Sequence, residues 1–366
     1  MIQKMYKLLS VVGARPQFIK LAGLHRAISK ESNIEHVIIH SGQHYDHNMS
    51  GQFFIELDIP APHYNIGIGS GHHNIQIAKC IIGVDEILEK EKPDLVIVYG
   101  DTNTTSAAAI AASKRNIPIA HVEAGLREFD KSIPEEVNKL LTDAVTDLFF
   151  VPTQTGIENL KNVGVTNNVF LTGDISLDLL YNNEKLWQKS DLISKYKVVG
   201  DYIFVTCHRA ANTDNRDNLE QILCAIQEID KSVIFAIHPR TIQKINAYSL
   251  NHLLSGDHIV LVDPPGFWET QSLIKHAYMV LTDSGGIIKE AYFHKTPAII
   301  IDKQTEWIET VEEGWNQISG PFTHKIIKAL QVWKRPNVHT NCLGDGHAGQ
   351  RMIKEMINYL EKSKPI

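Results

Sequence analysis

The chain has 366 residues, of which 43% are hydrophobic and 21% charged, with a formal net charge of −6 and an isoelectric point near 6.3. That length is too great for one compact core and predicts two domains of an ordinary globular protein. The acidic balance speaks against nucleic-acid binding. The apolar runs are strand-length rather than the roughly 20 residues that span a bilayer, and the start lacks signal-peptide architecture, so a cytoplasmic protein with no membrane contact is expected.

Taken in order, a strand at 7–12 passes through Gly13-Ala14-Arg15-Pro16 into a helix at 16–29, with Pro16 at a first helical position that needs no N–H. Strands at 36–40, 95–99, 117–122, 148–151 and 169–171 follow, with helix-periodic segments at 74–90, 104–114, 135–145 and 153–163. A polar stretch at 181–200 reads as the domain junction. The rhythm restarts with strands at 202–206, 233–237, 259–262, 279–282 and 298–301, and a last helix spans 346–360. Fully apolar runs alternating with helices indicate parallel sheets buried on both faces. The expected fold is α/β: two doubly wound Rossmann-like domains facing a cleft, 1–175 and 176–346, with a C-terminal helix at 347–366 packing back on the first.

Ligands of such sheets bind at the carboxyl ends of the strands. The strand at 95–99 ends at Gly100-Asp101, the strand at 117–122 ends at Glu123, and Pro134-Glu135-Glu136 lies just beyond. Asp101, Glu123 and Glu135 are therefore expected to converge as proton-transfer groups, with crowding that would raise the pKa of at least one.

Three strand-to-helix turns look built for anions. In the first, Arg15 stands at a helix's positive end, Lys20 returns to the same face a turn later, and Gly13 permits close backbone approach. In the second, Thr282-Asp283 opens into Ser284-Gly285-Gly286, whose free N–H groups can hold a diphosphate, with Glu290 one turn on to accept from a ribose diol. In the third, a strand delivers His208 and Arg209, a titratable donor and a cation. Four scattered cysteines (Cys80, Cys207, Cys224, Cys342) form no CxxC pair, and His44/His47 and His72/His73 lack ligand spacing, so no metal is expected.

Gly13-Ala-Arg-Pro-Gln-Phe-Ile-Lys20, Tyr99-Gly-Asp-Thr-Asn-Thr104, His121-Val-Glu-Ala-Gly-Leu-Arg127, Pro134-Glu-Glu136, His208-Arg209, Thr282-Asp-Ser-Gly-Gly286 with Glu290, and Gly344-Asp-Gly346 occur in that order. Together they resemble the non-hydrolysing UDP-N-acetylglucosamine 2-epimerases over essentially the whole chain. The resemblance implies a GT-B-like fold, a UDP-sugar substrate, a homodimer and inversion at sugar C2, through elimination of UDP to a glycal and its re-addition. It implies acid/base roles for Asp101, Glu123 and Glu135, and a role for His208 in stabilising or protonating the leaving UDP. Arg15, Lys20, Arg209, His238, Phe267, Ser284, Gly285, Gly286 and Glu290 would bind UDP. No cofactor is implied, because the intermediate forms without oxidation.

The chain departs from the family's pattern at Lys139 and Trp307, where the common motifs carry Arg, and at Ala210-Ala211, where many members carry Arg-Glu. Its 41–45 and 304–307 segments look closer to the subgroup acting on UDP-2,3-diacetamido-2,3-dideoxyglucuronate, which leaves the substituents at C3 and C6 open. A hydrolysing relative would release UDP and free N-acetylmannosamine, and usually carries a different opening motif. A GT-B glycosyltransferase would share the fold but would not need three carboxylates in the first domain.

Overall fold

The computed structural model describes residues 4–42, 53–188, 195, 196, 198 and 200–362. The chain divides into two compact units, 1–182 with 343–366, and 183–342.

The first unit holds a seven-stranded sheet of β1 (Tyr6–Val12), β2 (Ile34–His40), β3 (Tyr64–Asn65), β4 (Leu95–Tyr99), β5 (Ile119–Val122), β6 (Leu148–Val151) and β7 (Val169–Leu171). Its spatial order is β3-β2-β1-β4-β5-β6-β7, and every pairing is parallel. β4 and β5 are buried along their whole length because helices cover both faces, which is why they read as unbroken apolar runs. Helix Asn103–Lys114 packs closely here through buried Ala107, Ala108, Ala109, Ala111 and Ala112. The strand order reverses between β1 and β4, so the crevice of a doubly wound sheet opens beside Gly13 and Asp101.

The second unit repeats the plan with β8 (Tyr202–Thr206), β9 (Ser232–Ala236), β10 (Ile259–Val262), β11 (Met279–Thr282), β12 (Ala298–Ile300) and β13 (Asn316–Ile318). Their order is β10-β9-β8-β11-β12-β13, all parallel, with the reversal between β8 and β11. The α/β class with two doubly wound Rossmann-like units is thus the observed architecture. β3 and β13 have two and three residues, too short to carry a strand pattern in sequence.

Helix Ile175–Tyr181 belongs to the first unit, so the division falls later than residue 175; its buried Leu177, Leu179 and Leu180 anchor it there. The last helix, Ala348–Lys362, packs on this unit too. Asp178 caps it from a distance, accepting Ala348 N (3.0 Å) and Gly349 N (2.8 Å), and burial pushes its carboxyl up to about 6. The Gly344-Asp-Gly motif has a packing cause: a Cβ at Gly173 would fall 2.8 Å from Gly344 Cα where the two segments cross.

Candidate active site

In the first unit two acids sit at adjacent strand ends, each against a buried lysine. Beyond β5, Glu123 adopts the left-handed region at φ 70, a strained position for a non-glycine residue, while its N–H donates to Phe150 O at 3.0 Å. This turn aims the carboxylate at Lys20, whose Nζ lies 2.7 Å from Glu123 Oε1. The pair flanks Gly100: a Cβ there would meet Lys20 Nζ at 3.0 Å and Glu123 Oε1 at 3.7 Å. Gly100 therefore supplies both its own φ of 61 and the space for the ion pair, and Asp101 follows it immediately.

Asp101 faces Lys139 (3.4 Å), which is buried and also meets Glu128 (3.6 Å). Asn138 Nδ2 donates to Asp101 O (2.9 Å) and so fixes the turn. The Gly100 carbonyl is held by His121 Nε2 (2.8 Å), while His121 Nδ1 meets Asp143 (2.7 Å) and Arg127 pairs with the same carboxylate (2.6 Å). Burial opposes ionisation of Asp143, but His121 and Arg127 together hold it below the ordinary carboxylate range. A buried lysine thus flanks each of Asp101 and Glu123.

Glu135 is exposed at the start of helix Pro134–Asp143. The buried acid of that motif is Glu136, which accepts Glu128 N at 2.8 Å. Lys20 is 5% exposed and committed to Glu123, so it is not an independent phosphate cation. The first turn is no open nest of N–H groups either: Gln17 Oε1 accepts Gly13 N (2.7 Å) and Ala14 N (3.1 Å), while its Nε2 donates to Tyr99 O and Thr105 Oγ1 (both 3.0 Å). The Arg15 guanidinium lies 4.4 Å from the Phe53 ring centroid.

In the second unit the buried Asp283 organises the ends of β8 and β11. Its carboxylate accepts His208 N (3.0 Å), Arg209 N (2.9 Å) and Asn212 Nδ2 (3.1 Å), and lies 3.3 Å from His208 Nδ1. The imidazole of His208 is therefore oriented from behind while its side chain stays 44% exposed. Arg209 pairs with Asp302 (3.1 Å); burial, opposed by Arg209 and reinforced by Asp283, pushes Asp302 up to about 6.

Ser284 caps helix Gly285–His294, and neither Gly285 nor Gly286 has a positive φ, so space rather than conformation calls for glycine. A Cβ at Gly286 would stand 3.9 Å from both Glu290 Oε1 and Ser284 Oγ, which places Glu290 over the helix start. His238 caps helix Pro239–Ala247 through Nδ1, its ring 6.0 Å from that of His208. Phe267 is a correction: its ring is 2% exposed and edge-on to Trp268, so it is not presented to a ligand. Trp307 is buried as well.

Asp143, Glu128, Gln17 and Asp302 had no role in the sequence reading. Only Gln17 carried a local signal, as a third-position Gln able to reach back to the cap. The others act across 8 residues or more, beyond the reach of a local pattern. His44 and His47 lie outside the described residues; among the described residues no cluster of three or more metal-ligating side chains occurs, and no helix is long and apolar enough to cross a membrane.

The chain is similar to known proteins in sequence and in fold. A family model described as UDP-N-acetylglucosamine 2-epimerase matches residues 26–357. A Methanococcus maripaludis protein described as a UDP-N-acetylglucosamine 2-epimerase homolog is 45% identical over 361 residues, covering 96% of this chain and 99% of the relative. A UDP-2,3-diacetamido-2,3-dideoxy-D-glucuronate 2-epimerase of Pseudomonas aeruginosa is 37% identical over 363 residues, covering 97% and 99%. The crystal structure of Methanocaldococcus jannaschii UDP-GlcNAc 2-epimerase in complex with UDP-GlcNAc and UDP matches with a TM-score of 0.89 at 41% identity, covering 96% of this chain and 99% of that one.

Proposed function

Because the chain belongs to the UDP-N-acetylglucosamine 2-epimerase family, we propose that it inverts C2 of a UDP-2-acetamido sugar, with UDP-N-acetylglucosamine as substrate. The observation that carries this is the pair of acids Asp101 and Glu123 at adjacent strand ends, each against a buried lysine. No carbonyl adjoins C2 of such a sugar, so its hydrogen is not acidic and simple deprotonation is too costly. Elimination avoids this: the C2 proton goes to a carboxylate as the C1–O bond to UDP breaks, leaving a glycal and UDP. Re-addition of UDP to C1, with a proton delivered to the opposite face of C2, gives the epimer.

Asp101 and Glu123 are the groups proposed to exchange these protons, with Lys20 and Lys139 holding them in place. Glu135, exposed at a helix start, is proposed as a third acid. His208, oriented by Asp283, would stabilise the departing diphosphate, and the helix start at Ser284–Gly286 with Glu290, Arg209, Arg15 and His238 would hold UDP. We also propose a homodimer built on helices of the first unit, where Ile75 and Ile82 of helix His73–Glu91 are 53% and 61% exposed. A cytoplasmic location fits the four free thiols.

The Pseudomonas relative favours a second reading, the diacetamido-glucuronate. Incubation in deuterated water with UDP-N-acetylglucosamine and with UDP-sugars modified at C3 and C6 decides between them. Deuterium at C2 with UDP still attached is expected, fastest with the true substrate. Free N-acetylmannosamine would make the protein a hydrolase, and no exchange with any UDP-sugar would contradict the proposal.

A further inference from the structure

Trp307 is 1% exposed, and its indole N–H is buried without a hydrogen-bond partner. Buried donors are almost always paired, so an orphan of this kind calls for a reason. The nitrogen lies 3.5 Å from the position a Cβ would take at Gly285, the first residue of the ten-residue helix Gly285–His294. Arg209 Nη2 lies 3.6 Å and Glu306 Oε1 3.7 Å from the same point. The indole is fixed in that direction: Lys289 Nζ sits 4.9 Å over its ring centroid, Trp307 N donates to Thr305 Oγ1 (3.2 Å), and Trp307 O accepts Thr310 Oγ1 (2.7 Å).

Gly285 thus leaves a small cradle at the positive end of a helix, lined by an indole N–H, a guanidinium and a carboxylate. The first two are donors only, so their shared occupant must be an acceptor, and the helix end favours an anion.

We propose that the Trp307 indole N–H is a nucleotide-binding donor, giving its hydrogen bond to a phosphate oxygen of the UDP group seated over Gly285 beside Arg209. The inference rests on the reading that the chain binds a UDP-sugar. It gives the departure at position 307 a chemical meaning: a neutral, rigid donor stands where related motifs carry a cation, and charge on the phosphate is met by Arg209 and the helix end.

The chain has five tryptophans, so protein labelled with nitrogen-15 tryptophan gives five indole cross-peaks, and Trp307→Phe identifies the one from residue 307. Saturating UDP is expected to move that peak downfield as the hydrogen bond forms. Trp307→Phe should raise the UDP dissociation constant roughly tenfold in calorimetry, as loss of one bond to a charged acceptor does. Should Phe at 307 fail to fold, Gly285→Ala marks the same peak, since its Cβ enters ordinary contact with the indole, and it should also weaken UDP. A residue-307 peak unmoved at UDP concentrations that calorimetry shows to be saturating overturns the inference alone. Absence of UDP binding by the wild type overturns both it and the functional reading.

Discussion

The two strand-end regions solve different problems with the same topology. In the first unit, charges are compensated inside the protein: Lys20 closes on Glu123 and Lys139 on Asp101, while Gln17 occupies the backbone donors of the adjacent turn. In the second unit the fully buried carboxylate, Asp283, points back into its own backbone, and what faces outward is His208 and a helix start. One region positions acids and satisfies its own donors; the other leaves donors for a ligand. A doubly wound sheet places residues at its switch point, but side chains nearby decide whether the charges there are compensated within the protein or left facing outward.

The sharpest way to break this contrast is Asp101→Asn. It should lower C2 exchange by about 10³-fold, within the range for a lost general acid or base, and leave UDP affinity within about twofold. A parallel fall in UDP affinity, measured by calorimetry, would mean that Asp101 itself helps to grip the nucleotide.

Acid should weaken both units, since each holds a histidine kept neutral by loss of solvent, His36 half-buried in the first and His294 buried in the second. Burial, with His25 and His63 nearby, pushes His36 down to about 3, and burial with Lys275 and His276 does the same for His294. Both folded values lie below the ordinary value near 6.5, so their contribution is complete above that pH. It is lost as pH falls from 6.5 toward 3, where the unfolded chain takes up protons that the fold refuses. Between pH 7 and 5 each should remove roughly 2 kcal/mol. Urea unfolding across this range tests it, and His36→Gln or His294→Gln should flatten the slope by about half.

Arg15→Ala should weaken UDP by about 1.5–3 kcal/mol, one charge-assisted contact, without changing the C2 exchange rate at saturation. An unchanged affinity would remove the first unit from nucleotide binding altogether. The smallest effect is expected from Gly100→Ala, which forces an alanine to φ 61 with its Cβ 3.0 Å from Lys20 Nζ. It should cost about 1–2 kcal/mol of stability in urea unfolding and lower exchange by disturbing the Lys20–Glu123 pair.

Much of this was legible in the sequence because parallel strands buried on both faces leave unbroken apolar runs, and the turn after each run is where chemistry sits. The ends of β4, β5, β8 and β11 are readable for that reason. The pairings were not. Nothing near Lys20 indicates that it reaches Glu123, and nothing near Gln17 says that its amide also reaches Tyr99 O, because both depend on which strands are neighbours in the sheet. The left-handed Glu123 is equally silent, since strain at a non-glycine residue leaves no compositional trace. Phe267, named by the resemblance alone, carries no local sign that packing buries its side chain.

The proposed division of labour puts the acids in the first unit and the nucleotide grip in the second, joined by Arg15. Glu123→Gln tests it most directly, with C2 deuterium incorporation from deuterated water and UDP affinity measured on the same protein. The account predicts that exchange is lost while the UDP dissociation constant stays within about twofold, because Gln replaces the carboxylate with little change of shape. Exchange at the wild-type rate would contradict it.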